Sequence, residues 1–208
     1  MNVQEAYNNW SHQYDTNHNK TRDLEAVALQ TTLSSMRFDN CLEIGCGTGK
    51  NTSWLLTRAT AITAIDLSEA MLAKAKEKIT DAQVQFIQAD ITAEWLFATQ
   101  QYQLVTCSLV LEHIENLEPI FKKMAAVTAS GALLYIGELH PFKQYNGSKA
   151  RYETENGVQI VTCFNHHITD FTRAATANGF ELLQLHEFFD EDNRMAIPRI
   201  LSLLFRKK

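Results

Sequence analysis

Between residues 40 and 136, short apolar runs alternate with helix-forming stretches, and no other feature of the chain restricts its fold as much. The runs fall at 40–44, 61–65, 84–88, 104–108 and 132–136. Each is too short for a buried helix and apolar enough to lie between two covering layers. Helices are expected at 50–57, at 68–78 behind a Ser68 cap, and at 119–128 with a proline in the first turn. Repeated units of this kind give a parallel sheet with helices on both faces. Residues 3–36 read as helical ahead of it. After residue 138 the rhythm changes, because 139–157 is polar, aromatic and too long for an ordinary connection. A short strand suits 158–164, and a helix at 169–178 stops at Gly179. The final runs, 180–189 and 197–205, have no helix between them and should pair antiparallel. The fold class expected is α/β, a three-layer αβα sandwich with a mostly parallel seven-stranded sheet and a C-terminal antiparallel edge hairpin. Residues 1–208 should make one domain, with a helical segment at 1–37 and an inserted substrate lid at 139–167.

Composition narrows the partners. With 45% hydrophobic residues in 208, the chain can bury a full core. Its 19 Lys+Arg against 24 Asp+Glu leave a net charge of −5 and no basic stripe, so no nucleic-acid partner is expected. The cluster Arg206, Lys207 and Lys208 reads as a solvated terminus. No apolar run approaches the ~20 residues of a membrane span. The opening MNVQEAYNNWSHQYD also lacks the apolar centre of a secretory signal. The expectation is a soluble, cytoplasmic monomer or homodimer with no membrane partner. Cys41, Cys46, Cys107 and Cys163 make no Cys-x-x-Cys pair and have no histidine at zinc-ligand spacing, so neither disulfide nor metal is expected. Cys41 and Cys107, inside apolar runs, read as core.

The stretch CLEIGCGTGKNT at 41–52 then asks which ligand its glycines serve. A nucleotide-triphosphate loop would need glycine where Ile44 stands and Ser or Thr where Asn51 stands. A dinucleotide fingerprint would need its third glycine at Lys50. Both patterns fail. Glu43, two residues before the first glycine, would repel a pyrophosphate and attract an ammonium, while amides of the turn and following helix can meet a carboxylate. Asp66 closes the next strand 21 residues after Gly45, the place from which an acid holds ribose hydroxyls. An amino acid at one end and a ribose at the other describe S-adenosylmethionine.

At this point the ordered set EIGCGTG, AIDLS with Met71, and Gln88-Ala89-Asp90 resembles the class I S-adenosylmethionine-dependent methyltransferases, from about residue 38 onward. The resemblance implies a Rossmann-like sheet and assigns roles. Gly45, Cys46, Gly47 and Gly49 line the methionine half, with Glu43 beside them. Asp66 takes the ribose; Leu67 and Met71 cover the adenine face; Asp90 accepts from the adenine amine, with Ile91 packing alongside. Ser108 and Leu109 border the sulfonium, and His113 lies one turn on. The segment Tyr7-x-x-Trp10-x-x-x-Tyr14-Asp15 resembles one that folds over the cofactor in small-molecule members, where a tyrosine such as Tyr14 sits near the methionine.

The acceptor is read less directly. The residues after the fourth run, Cys107-Ser108-Leu109-Val110, lack the Asn/Asp-Pro-Pro-aromatic signature of enzymes that methylate base amines. His140-Pro141-Phe142, then His166-His167 and Gly179-Phe180, resemble a subgroup acting on small molecules, although its usual His-Arg pair is His-His here. The resemblance implies methyl transfer to O, N or C of a small molecule, leaving S-adenosylhomocysteine. His140, His113 and His166 are candidate bases. His140, Tyr145, Arg151 and His167 are candidates for holding the acceptor, and Lys143 and Arg151 in the lid suggest an anionic one. The alternatives are a protein or RNA methyltransferase, or a catalytically silent S-adenosylmethionine-binding regulatory subunit.

Overall fold

In chain order the elements of the computed structural model, which describes residues 2–154 and 157–208, begin with α1 (Val3–Trp10), α2 (Lys20–Leu33), β1 (Phe38–Ile44) and α3 (Lys50–Leu55). Next come β2 (Ala59–Asp66), α4 (Glu69–Lys78), β3 (Val84–Gln88), β4 (Tyr102–Ser108), a 3-10 turn at Leu111–His113, α5 (Glu118–Val127) and β5 (Thr128–Leu139). The remainder is α6 (Pro141–Tyr145), β6 (Arg151–Thr154), β7 (Gly157–Ile160), α7 (Ile168–Ala177), β8 (Phe180–Phe188) and β9 (Ile200–Lys207). Residue 1 and positions 155 and 156 of the expected lid lie outside the described residues.

Seven strands form one sheet in the order β3-β2-β1-β4-β5-β9-β8. The first five are mutually parallel, and β9 runs antiparallel to both β5 and β8. The expected α/β sandwich with an antiparallel C-terminal pair is therefore present. The last strand sits inside the sheet, and β8 forms the edge. Burial explains this order: Ile200, Leu201, Leu203, Leu204 and Phe205 are all buried, whereas Leu182, Leu183 and Leu185 of β8 are exposed. On one face, Ile44, Val105, Phe121, Met124, Phe171 and Phe205 join a core under α5 and α7. On the other, Leu29, Leu33, Cys41, Leu55, Leu72 and Tyr135 pack under α2, α3 and α4. Cys107 lies in the first core, so both strand cysteines are core residues as expected.

Three expectations are corrected. Residues 3–36 are two helices, because Asn19 accepts hydrogen bonds from the Thr21 and Arg22 amides (3.0 and 3.1 Å) and starts a new helix there. The strand expected at 158–164 is shorter and belongs to a β6–β7 hairpin separate from the main sheet. Strand β5 runs to Leu139, three residues past the apolar run, because β9 pairs with it to Ile200. Ser68 caps α4 as expected, accepting from the Met71 amide at 3.1 Å.

Candidate active site

The sheet order changes direction at β1 and β4, and a cleft of about 250 Å³ opens at their carboxyl ends. This is the switch point at which open α/β sheets place ligands. Its floor is the turn after β1. Gly45 (φ 74°) and Gly47 (φ 54°) hold left-handed conformations that side chains disfavour. A Cβ on Gly45 would overlap Val110, while one on Gly47, which lines the cleft, would meet nothing within 4 Å. The turn is tied down by its own amides: Gly45 and Cys46 donate to the Ile65 carbonyl (2.8 and 3.0 Å), and Gly47 donates to Asp66 (2.8 Å). These amides are thus already engaged, a correction to the expectation that the turn leaves them free.

Glu43, Gly45, Cys46, Gly47, Asp66, Leu67, Asp90, Ile91, Ser108, Leu109, His113 and Tyr14 all line this cleft. Two of the expected cofactor residues do not. Gly49 (φ 84°) begins α3, and a Cβ there would sit 2.8 Å from Ile79, so its small size serves packing against α4. Met71 is fully buried with Ala6 and Trp10, where α1 docks. Asp66 accepts from the Ser68 amide (2.8 Å) as well as from Gly47, and burial raises its pKa. Asp90 accepts from the Thr92 amide and hydroxyl (both 2.7 Å) in a local turn, and no helix forms at 93–97 for it to cap.

Two buried acids meet at the methionine end expected from sequence. Glu43 accepts from the Thr52 hydroxyl (2.6 Å), and burial pushes its carboxyl up to about 8. Glu25, from α2, accepts from Asn51 (2.8 Å) and from the Tyr135 hydroxyl (3.3 Å), and burial raises it too. The sequence reading missed Glu25. Its signal was Gly137, inside β5, where a Cβ would occupy the space the Glu25 carboxylate fills. Arg22 was missed as well. Its guanidinium stacks 4.4 Å over the Tyr14 ring and donates to the Tyr14 and Asn17 carbonyls, at the cleft wall.

The roof comes from α1 and the hairpin. Asn8 accepts from the Ser68 hydroxyl (2.6 Å), and Trp10 stacks on Tyr152 with ring centroids 5.5 Å apart. Tyr7 and His113 form a hydrogen-bonded pair, Oη to Nε2, at 2.8 Å. The His113 Nδ1 lies 2.7 Å from the Thr162 carbonyl, which can only accept, so Nδ1 carries the proton and Nε2 accepts from Tyr7. Burial lowers the His113 pKa and raises that of Tyr7, keeping both neutral. Burial also lifts Tyr14 to about 12.

A second cavity of about 280 Å³ shares Tyr7, Tyr14, Arg22 and Leu109 with the cleft. Lys20, Lys149, Arg151 and Arg199 also line it, with Glu112. Arg199 is committed to Asp190 through two bonds (2.5 and 2.6 Å).

The histidines of the expected lid lie elsewhere. His140 is fully buried: Nε2 donates to Glu187 (3.0 Å), and Nδ1 accepts from the Phe142 amide (3.2 Å) to cap α6. It misses the cleft because β5 carries the chain on beside β9, where the His140 amide meets the Arg199 carbonyl at 2.8 Å. His166 is buried against Phe171, with Nε2 at the Leu111 and Ile114 carbonyls (3.2 and 2.8 Å), which pins the lid to the 3-10 turn. Tyr145 and His167 bond each other (2.6 Å) on the surface and line neither cavity.

Residues 42–136 match the family model described as a methyltransferase domain. Over those residues the chain is similar to methyltransferase domains. The malonyl-[acyl-carrier protein] O-methyltransferase of Priestia megaterium is 33% identical over 139 residues, 64% of this chain and 50% of that protein. The ubiquinone biosynthesis O-methyltransferase of Stutzerimonas stutzeri is 27% identical over 101 residues, 48% of this chain and 44% of that protein. The chain spans about half the length of these curated relatives. The solved N-methyltransferase NodS of Bradyrhizobium japonicum, in complex with S-adenosyl-L-homocysteine, superposes with a TM-score of 0.73. That likeness covers 100% of this chain and 99% of the other at 18% identity, and it shows the shared fold. No described helix is long and apolar enough to cross a membrane.

Proposed function

We propose that this chain transfers a methyl group from S-adenosylmethionine to a small acceptor bearing an anionic group. The observation that carries the donor assignment is the convergence of the Gly45–Gly47 turn, Asp66 and Asp90 on one cleft. In this reading the methionine lies along Gly45, Cys46 and Gly47, with its ammonium toward Glu43 and Glu25 and its carboxylate toward Arg22. Asp66 takes the ribose hydroxyls, Asp90 the adenine amine, and Leu67 and Ile91 flank the ring. Ser108, Leu109 and Tyr14 surround the sulfonium, and S-adenosylhomocysteine remains after transfer.

The second cavity supports the acceptor assignment, since it meets the cleft at Tyr7, Tyr14 and Leu109 and carries Lys20, Lys149 and Arg151. The residues of 139–167 that line it act as the acceptor lid, with Arg151 holding the anion. Methyl transfer is an in-line displacement, so the chief task is to orient the acceptor and exclude water. Tyr7, which donates to His113 Nε2 and lines both cavities, orients the acceptor, and His140 and His166 act by positioning.

The test is transfer of labelled methyl from S-adenosylmethionine to a panel of metabolites, each carboxylate or phosphate paired with its neutral amide or ester. Label entering acidic members, with Arg151→Ala raising KM, is expected. Equal use of neutral partners would refute the anion, and donor binding without transfer to any member would favour the silent regulatory subunit.

A further inference from the structure

We propose that Glu112, His113 and Cys163 hold a divalent transition-metal ion of the zinc type at the junction of the cleft and the second cavity. One ligand atom from each side chain lies within 4.8 Å of the others, and His113 Nδ1 stands 3.8 Å from Cys163 Sγ. The two segments are brought together by the backbone, independently of these side chains. The Phe164 amide donates to the Glu112 carbonyl at 2.7 Å, and His166 fastens the returning chain to Leu111 and Ile114.

A second observation asks for a cation. Glu112 is 5% exposed, and its Oε2 has no hydrogen-bond partner. A carboxylate oxygen buried without a donor is costly, and a bound cation removes that cost. Glu138, 1% exposed, lies close by with its own Oε2 unpartnered, while its Oε1 is taken by the Val110 and Leu111 amides (3.0 and 2.8 Å).

The donor set fits the ion. One imidazole, one thiolate and one carboxylate suit zinc, and three protein ligands leave a coordination position for a further group. Metal-bound histidines need a partner on the other ring nitrogen, and Tyr7 is in place on Nε2 at 2.8 Å. Binding at Nδ1 exchanges the Thr162 bond for the metal and leaves Nε2–H donating to Tyr7. His113 lines the cleft and Glu112 the second cavity, so the remaining position falls between donor and acceptor. Its use there rests on the methyl-transfer reading: an acceptor hydroxyl or thiol taken by the ion releases its proton to solvent more readily. Sequence spacing could not disclose the site, because His113 and Cys163 are 50 residues apart.

The chelator-stripped 208-residue chain titrated with Co²⁺ tests this. One cobalt per chain is expected, with visible d–d bands and a sulfur-to-cobalt charge-transfer band. Cys163→Ser should abolish the charge-transfer band, and Tyr7→Phe should weaken binding roughly 10-fold. Glu112→Gln should lose binding while keeping its unfolding midpoint, which separates a ligand from a packing residue. Absence of saturable binding, or a charge-transfer band unchanged in Cys163→Ser, would overturn the proposal. S-adenosylhomocysteine binding by the stripped protein is expected to persist, so failure of the metal site and failure of the donor site give different results.

Discussion

The paired substitutions Gly45→Ala and Gly47→Ala separate what the glycine turn does for the fold from what it does for a ligand. Both residues hold positive φ, and an alanine there costs about 1–2 kcal/mol, offset in part by about 0.4–1 kcal/mol from the stiffer unfolded chain. At Gly47 the account stops there, because a Cβ meets nothing within 4 Å. At Gly45 the new methyl overlaps Val110, and displacing a packed side chain adds about 1–3 kcal/mol. The totals are about 0–1.5 kcal/mol at Gly47 and about 1–4.5 kcal/mol at Gly45. At ~2–4 °C per kcal/mol for a chain of this size, Gly47→Ala should lower Tm by no more than about 6 °C, and Gly45→Ala should lower it by roughly 2–12 °C more than that. Binding should rank differently. Gly47 lines the cleft and a methyl there takes up open space, so S-adenosylhomocysteine affinity should fall at least about tenfold, some 1.4 kcal/mol, in a nearly wild-type fold. Scanning fluorimetry and calorimetry read the two quantities. Equal Tm losses, or wild-type affinity in Gly47→Ala, would refute the reasoning.

Asp66→Ala should weaken donor binding by on the order of 1–3 kcal/mol, measured calorimetrically; an unchanged Kd removes Asp66 from the site. Glu43, held at about 8 by burial, keeps its proton in the fold at a pH where the unfolded chain has lost it. The folded state then binds more protons, so stability falls as pH rises from about 4.5 toward 8. Glu43→Gln should flatten that part of a Tm–pH curve, and an unaltered slope would rule Glu43 out as its source. His140→Ala should lower Tm by removing the α6 cap and the Glu187 bond while leaving the donor Kd near wild type; the reverse would return His140 to the site.

The sequence made the strand centres and the glycine turn with its facing acid legible because both depend on local pattern. An apolar run into Gly45-x-Gly47 and an acid closing the next strand leave few geometries, and Asp66 and Gly47 meet directly at 2.8 Å. What escaped was set by long-range pairing. The register of β5 with β9 decides that His140 faces Glu187, and nothing in residues 132–140 alone reveals it. The β6–β7 hairpin has an exposed Val158 and Ile160, so its strands lack the burial that makes periodicity readable. Glu25 sits on α2 between Leu24 and Ala26, and the space that receives its carboxylate lies beside Gly137, far along the chain.

The central claim is that the cleft above β1, β2 and β4 receives S-adenosylmethionine. Calorimetric titration of the wild-type chain with S-adenosylhomocysteine should give saturable binding of one molecule per chain. No heat with that ligand, together with saturable binding of NAD or ATP, would contradict it.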